Sequence, residues 1–323
     1  MVHLAFSFSD HVGPGLHLPP EIGRIAQAAV ALFFLISGYF MIVSTRPLFG
    51  STGGTRRFWL RRMIRIGPPY WLATAALVGL YLWLDKPVGA ADLLQSLLLL
   101  PYFMPGEPMP LVLLWPGWTL FHEMVFYLIF GIGVSSGRTR TVAISVAILA
   151  LLVIGGMVFD PASAVLVSLT SPICLLFLGG IAVALWHEGG GTLPPALRWA
   201  MVAVAIPALW LLVQSTTQDR GFAYLAWSGL PALLVFLAAM GGPLRIPCFR
   251  VADLLGNASY AIYLLHVPIG WLWVAFYPGF LYGLGPWFHF VSLVGATLVA
   301  SVMFYALVER PLTCWLNARL VRP

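Results

Sequence analysis

The chain has 323 residues, of which 60% are hydrophobic and 9% are charged, and its mean hydropathy is +0.93. A soluble domain carries about a quarter charged residues, so this composition excludes a single water-facing globule and predicts a polytopic integral membrane protein. The net charge of +6 is typical of basic cytoplasmic loops in such proteins and does not predict nucleic-acid binding. The three cysteines are widely spaced, which predicts neither a disulfide framework nor a metal site.

Apolar segments long enough to cross a bilayer recur along the whole sequence. We therefore predict an all-α fold, a polytopic transmembrane helical bundle of about nine spans that forms one domain over residues 1–323. Between the second and third spans, Asp92–Pro101 is too short to cross and is expected to form an interfacial or re-entrant helix. The predicted spans are Ala26–Ser44, Ile66–Leu84, Gly117–Val134, Thr141–Phe159, Ser168–Trp186, Leu197–Gln214, Phe222–Met240, Asn257–Tyr277 and Trp287–Val308.

The charges of the connecting loops predict the orientation of the bundle. The loop after the first span is rich in arginine, from Arg46 to Arg65, and the positive-inside rule places it in the cytoplasm. The next loop carries Asp85 and Glu107 and falls outside, and the alternation continues to a cytoplasmic C-terminus. We predict an integral membrane protein that is surrounded by membrane lipids.

The first candidate site is the arginine run between Arg56 and Arg65, which leads into Pro68, Pro69 and Tyr70. Arg61 and Arg65 are four residues apart and share a helix face, and Arg62 and Arg65 are neighbours at a spacing of three. Such a face presents several forked donors to phosphate oxygens, as a phosphate-rich cytoplasmic cofactor requires. Anchoring to anionic lipid headgroups explains the same pattern, and spacing alone favours that explanation.

The second candidate site is the segment from Trp118 to Tyr127, in which Glu123 lies within an otherwise uncharged span. A carboxylate there costs about 3 kcal/mol unless it faces a partner or a water-filled cavity, so Glu123 is a candidate functional residue. His122 precedes it, but the zinc-protease motif H-E-x-x-H lacks its second histidine because Phe126 stands there.

The third candidate site is a polar stripe in the penultimate span. Ser259, Tyr263 and His266 occupy positions i, i+4 and i+7, which places them on one helix face. A stripe of this kind either lines a substrate cavity or forms hydrogen bonds to another helix, and the spacing does not distinguish the two. Near the N-terminus, His3 taken alone is a polar residue without a specific role.

Together these elements resemble the acyltransferase-3 family of membrane O-acyltransferases, which acylate O-antigen, exopolysaccharide and Nod-factor sugars. The resemblance runs from about His3 to Pro311, nearly the whole chain. It is carried by F-F-x-x-S-G-x-F at residues 33–40, R-x-x-R-x-x-P-x-Y at 62–70, W-T-L-x-x-E-x-x-F-Y at 118–127, the stretch from Ser259 to His266, and Glu309-x-Pro311.

The resemblance implies an acyl-CoA donor, usually acetyl-CoA, a carbohydrate acceptor and a location in the bacterial inner membrane. No metal site is apparent in the sequence. In the family a histidine at the end of the first transmembrane helix is taken as catalytic, and His3 is the matching position. The remainder of that helix and its arginine are absent from this sequence. We assign Arg62, Arg65 and Arg61 to the CoA phosphates and expect Glu123, nearer the outer face, to support the imidazole of His3.

We further assign five residues to the substrate-lining surface of this enzyme. They are Trp118, Tyr127, Ser259, Tyr263 and His266. Two alternatives remain open from the sequence: a transporter or flippase of a lipid-linked glycan, and an inactive truncated paralogue. The sequence shows no paired broken helices or half-to-half symmetry of the sort common in transporters. It predicts no particular oligomeric state.

Overall fold

The computed structural model describes residues 20–107, 109–211, 221–243, 248–276, 284 and 286–321, and most of them are helical. The described residues include two π-helical turns, Leu225–Gly229 and Tyr305–Glu309. The helices are α1 Pro20–Thr45, α2 Gly54–Trp83, α3 Ala90–Leu97, α4 Trp118–Val134, α5 Arg138–Phe159, α6 Ala164–Leu169, α7 Leu175–Glu188, α8 Pro195–Leu211, α9 Phe222–Met240, α10 Phe249–Asn257, α11 Ser259–Phe276, α12 Pro286–Phe304 and α13 Arg310–Leu320.

Within the described ranges, six helical segments are long and apolar enough to cross a membrane. They are Gln27–Leu48, Trp115–Val134, Arg138–Phe159, Ala164–Glu188, Phe222–Met240 and Trp287–Leu320. The structure thus confirms a polytopic helical membrane protein and matches six of the predicted spans. The other three fall on α2, α8 and α11, which are helical but do not reach this standard, so the count of nine is not confirmed. As expected, α3 is far too short to cross, at eight residues.

The helix of the second predicted span starts before that span does. The sequence placed the start of the span at Ile66, after a basic loop, whereas α2 begins at Gly54 and runs without a break through the arginine run. Gly53 turns the chain into this helix with a φ of 71°, a conformation that favours glycine. At about 1.5 Å per residue, Arg65 lies roughly 16 Å along the helix from Gly54. The helix therefore carries the arginines along the bundle, with Arg62 half-buried and Arg61 and Arg65 exposed.

Two glycines bring α1 and α7 into close contact. A Cβ atom at Gly38 would lie 2.1 Å from the carbonyl oxygen of Phe177, and one at Gly180 would lie 2.0 Å from that of Leu35. Small residues at such crossings let helix backbones meet directly. The ring of Phe177 in turn stacks on Phe126 of α4, with ring centroids 4.2 Å apart. This packing fixes the face of α1 that carries Ser37 against α4.

The two ends of the bundle are built differently. The end at which α1 stops and α2 starts, here called the basic end, has Glu188 accepting hydrogen bonds from Arg46 at 2.7 Å and Arg138 at 2.6 Å. The opposite end, here called the hairpin end, carries α3 and a short antiparallel pair, β1 Tyr102–Phe103 and β2 Pro110–Leu111. This pair is the exception to the all-α prediction in the part of the chain that the structure describes.

Candidate functional site

Glu123 lies at the centre of the candidate site, on the buried face of α4. Its side chain is 7% exposed, and its Oε1 accepts hydrogen bonds from Ser37 Oγ, at 3.1 Å, and from the hydroxyl of Tyr127. Tyr127 is one helical turn further along α4, so the two side chains meet on one face. A buried carboxylate is stable only when hydrogen bonds or charges compensate for lost water, and these two hydroxyls supply that compensation.

Arg62 contacts the same group from α2. Its guanidinium carbon lies 5.4 Å from the centre of the Tyr127 ring and 5.6 Å from that of Phe58, and its Nη2 donates to Ser44 Oγ at 2.6 Å. Cation–π contact and the hydroxyl partner hold the guanidinium in one place. The charges of Arg65 and Arg62 both act on the Glu123 carboxylate. One negative and two positive groups therefore share this part of the bundle.

Arg65 differs from Arg62 in its surroundings. It is exposed, and no hydrogen bond or ion pair joins it to any residue that the structure describes. Its guanidinium can therefore receive an anion without first losing a partner inside the protein. Arg61, also assigned to the cofactor, is exposed and likewise makes no such bond within the described ranges.

The expected separation between the arginines and Glu123 was wrong. The sequence placed the arginines in a cytoplasmic loop and Glu123 near the opposite face, but the structure brings them together. Two hydrogen bonds set the antiparallel register of α2 and α4: Trp59 Nε1 donates to the carbonyl of Tyr127 at 3.1 Å, and Thr55 Oγ1 donates to that of Gly131 at 2.8 Å. This register places Arg62 and Arg65 beside the first half of α4, where Glu123 lies.

Trp118 and Tyr263 lie closer to the hairpin end. Trp118 is buried, and the Tyr263 hydroxyl contacts Thr119 Oγ1 at 2.6 Å and donates to the carbonyl of Pro116. The ring of Phe33, from the motif in α1, stacks on Tyr263 with centroids 6.1 Å apart. These contacts join α1, α4 and α11 between the hairpin end and the group formed by Glu123, Arg62 and Arg65.

The polar stripe of α11 is only partly inside the bundle. His266 is buried and its Nδ1 lies 2.6 Å from the carbonyl oxygen of Tyr263, whereas Ser259 is the first residue of α11 and is exposed. Tyr260, which the sequence reading passed over, is buried instead and donates to the carbonyl of Ile66 at 2.9 Å. The structure thus brings Tyr263 and His266 into the bundle and leaves Ser259 on its surface.

The histidines do not form a group with Glu123 in the described part of the chain. His122 is buried and its Nδ1 lies 2.8 Å from the carbonyl oxygen of Trp118, away from the hydroxyl partners of Glu123. His3 lies outside the residues that the structure describes. Within the described ranges, no cluster of three or more potential metal ligands is present.

Sequence reasoning missed the two serines that complete the charged group. Ser37 belongs to the F-F-x-x-S-G-x-F motif and bonds Glu123, while Ser44 lies two turns further along α1 and bonds Arg62. Gly38 packs α1 onto α7, and this packing turns Ser37 towards α4 and Ser44 towards α2. A serine beside a glycine in an apolar span was the available signal.

Comparison with known proteins identifies the class of protein that carries this arrangement. The acyltransferase-3 family model, described as "Acyltransferase domain", matches residues 1–306. The chain belongs to the acyltransferase-3 family. It is also 31% identical over 312 residues to the exopolysaccharide production protein ExoZ of Rhizobium meliloti (strain 1021), with 89% of this chain and 90% of that protein covered. No solved structure matches this chain.

Family membership confirms the resemblance seen in the sequence and makes this protein a membrane acyltransferase. The range that matches the acyltransferase-3 model includes Ser37, Arg62, Arg65 and Glu123, which the structure gathers in one place. Three of the motifs that suggested the family thus contribute residues to one charged group around the buried Glu123.

Proposed function

We propose that this acyltransferase transfers an acyl group, acetyl in the first instance, from acyl-CoA to a hydroxyl of a cell-surface or secreted polysaccharide. The observation that carries the proposal is the grouping of the buried Glu123 with Arg62 and Arg65 inside a membrane acyltransferase. The acceptor class is supported by the similarity to an exopolysaccharide production protein.

The arginines support acyl-CoA as the donor. Forked guanidinium donors suit phosphate oxygens, and CoA carries several phosphates. Lipid-headgroup anchoring, the competing explanation, would turn the arginines outward to the bilayer surface. Arg62 instead points into the bundle, against the Tyr127 ring and Ser44, about 12 Å along α2 from Gly54. Arg65 follows one turn deeper with its guanidinium unbonded within the described ranges, as an anion site requires.

The proposed reaction is an attack of the acceptor hydroxyl on the thioester carbonyl. His3 removes the hydroxyl proton as a general base, since a histidine titrates near neutral pH. A C–O bond forms to the sugar, the C–S bond breaks, and CoA leaves as the thiol after taking up a proton. Glu123, held by Ser37 and Tyr127, supplies a fixed negative charge that stabilises the imidazolium. Acylation of His3 itself, followed by transfer to the sugar, uses the same groups.

We assign the basic end to the cytoplasm, where acyl-CoA is made. Arg46, Arg138 and the start of the arginine run lie at that end, as the positive-inside rule requires, and the C-terminus is then cytoplasmic. CoA remains on that side with its phosphates at Arg62 and Arg65. The acyl group reaches the acceptor through the bundle.

A paired substitution on α2 tests this proposal. Membranes that contain the full chain would be supplied with acetyl-CoA labelled in the acetyl group, and label in the polysaccharide would be counted. Arg62→Ala removes a charged phosphate ligand worth about 1.5–3 kcal/mol, so kcat/KM should fall about 10- to 100-fold, mainly through a higher KM. Arg56→Ala, at an exposed position six residues earlier in the same helix, should change kcat/KM by less than about threefold.

The outcomes separate the proposal from its alternatives. Equal effects of Arg62→Ala and Arg56→Ala would mean that the arginines act only as general basic anchors. Glycan movement across the membrane without any dependence on acetyl-CoA would favour a transporter or flippase. Absence of both activities, with native O-acyl content in a strain that lacks the gene, would favour an inactive paralogue.

A further inference from the structure

A second carboxylate is buried in the bundle without a complete set of partners. Glu309 ends the π-helical turn Tyr305–Glu309, is 6% exposed, and its Oε2 has no hydrogen-bond partner. The backbone carbonyl of Glu309 accepts a hydrogen bond from Thr313 Oγ1 at 2.8 Å. The missing hydrogen bond is therefore that of the side chain. An uncompensated buried carboxylate costs several kcal/mol, so a chain retains one chiefly where a ligand or a partner completes it.

The surroundings of Glu309 point to the donor site. Helix α13, which starts at the residue after Glu309, packs against α2, the helix that carries Arg65. The charge of Arg65 acts on the Glu309 carboxylate, and the described residues contain no direct ion pair between the two. The nearby Tyr260 is influenced by the charges of Glu123 and Glu309, but its hydroxyl proton is already committed to the carbonyl of Ile66. π-Helical turns such as this one occur frequently at functional sites.

A carboxylate beside an arginine recognises a ligand that brings both an anion and a hydrogen-bond donor. Bare phosphate supplies only acceptor oxygens and is repelled by Glu309. In acyl-CoA the phosphates continue into the pantetheine arm, which carries a hydroxyl group and amide N–H groups. A donor from that arm satisfies Oε2, whereas a phosphate-only ligand leaves it unsatisfied or repels it. Rejection by an unsatisfied buried group is a general source of specificity.

We propose that Glu309 accepts a hydrogen bond from an O–H or N–H group of the pantetheine arm of the acyl donor whose phosphate binds at Arg65. The inference rests on the proposed acyl-CoA donor. Glu309 is then the residue that distinguishes acyl-CoA from other phosphate-bearing molecules at this site. It contacts the part of the donor that does not react.

Binding of two probes to the full-length protein in detergent tests this role. One probe is acetyl-CoA, and the other is 3′-phosphoadenosine 5′-diphosphate, which has the phosphates of CoA but no arm. Glu309→Ala should weaken acetyl-CoA about tenfold, as loss of a hydrogen bond to a charged group predicts, and leave the second probe unchanged or tighter. Glu309→Gln, which keeps one acceptor oxygen and the shape, should fall between. Asp253→Ala, an exposed acidic residue, is the matched control and should change neither.

The ratio of the two affinities decides the outcome. If Glu309→Ala and Glu309→Gln weaken both probes equally, or neither, the proposed contact with the arm is wrong. If the unaltered protein binds neither probe, the assignment of acyl-CoA as the donor is wrong. This result differs from failure of the Glu309 proposal because it is seen without any substitution. Elution volume and thermal stability of each variant identify loss of fold, and the near-isosteric Glu309→Gln keeps the test valid if Glu309→Ala does not fold.

Discussion

Glu123 and Glu309 are both buried carboxylates in apolar helices, but they differ in their hydrogen-bond partners and neighbouring charges. Glu123 accepts hydrogen bonds from Ser37 and Tyr127 and is acted on by two arginine charges. Glu309 has an oxygen without a partner and is acted on by one arginine charge. The charge of Arg65 acts on both carboxylates, although neither forms an ion pair with it among the described residues.

The difference separates a group that is organised before the substrate arrives from one that the substrate completes. A carboxylate fixed in advance can stabilise charge that develops during the reaction, because it does not have to reorganise. A carboxylate with a vacant acceptor gains its stabilisation only on binding. Substitutions at Glu123 should therefore affect the chemical step, and substitutions at Glu309 should affect donor affinity.

The largest effect is expected from Glu123→Gln. The amide keeps the shape but removes the charge, so kcat for transfer of labelled acetyl to polysaccharide should fall about 10²- to 10⁴-fold, with KM for acetyl-CoA within about threefold. The control is Glu107→Gln, an exposed acidic residue near the hairpin end, which should retain full activity. A Glu123→Gln variant that keeps its kcat and loses only donor affinity would erase the distinction between the two carboxylates.

A smaller effect is expected from Tyr127→Phe. The phenyl ring keeps its contact with Arg62, so the substitution removes mainly the hydroxyl that donates to Glu123. Loss of one hydrogen bond to a charged group predicts a fall in kcat of about tenfold. Tyr305→Phe, with no hydroxyl bond among the described residues, serves as the reference and should be nearly silent. Equal rates for the two variants would show that Glu123 does not depend on its hydroxyl partner.

The smallest effect is expected from Ser37→Ala. Its bond to Glu123 is 3.1 Å long, and a typical hydrogen bond contributes about 0.5–1.5 kcal/mol, so kcat should fall only about two- to tenfold. Ser163→Ala, at an exposed position before α6, is the reference substitution and should leave the rate unchanged. A loss larger than that of Tyr127→Phe would reverse the order of the two hydroxyls and point to a more direct role for Ser37.

The sequence predicted which single residues are chemically important better than it predicted which residues contact them. Glu123 stood out because a charge in an apolar span is costly, and six spans were found from hydropathy. Its bond to Ser37 joins residues 86 positions apart, and no local pattern encodes such a pair. The start of α2 was misplaced because arginines were read as loop residues, although they continue the same helix. Helical periodicity grouped Ser259 with Tyr263, but only packing shows which face of α11 meets the bundle.

The chain order of the contacts around Glu123 bears on how the protein is made. Ser37, Arg62 and Arg65 all precede Glu123, so α1 and α2 have left the ribosome before α4 enters the bilayer. The partners of the Glu123 carboxylate are therefore already present when α4 inserts, and the carboxylate does not stay exposed to lipid until a later helix is made. Glu309 is made after Arg65, so the arginine is already in place when Glu309 enters the bundle. A circularly permuted chain that begins at Trp118 would have to insert Glu123 before either serine or arginine existed beside it.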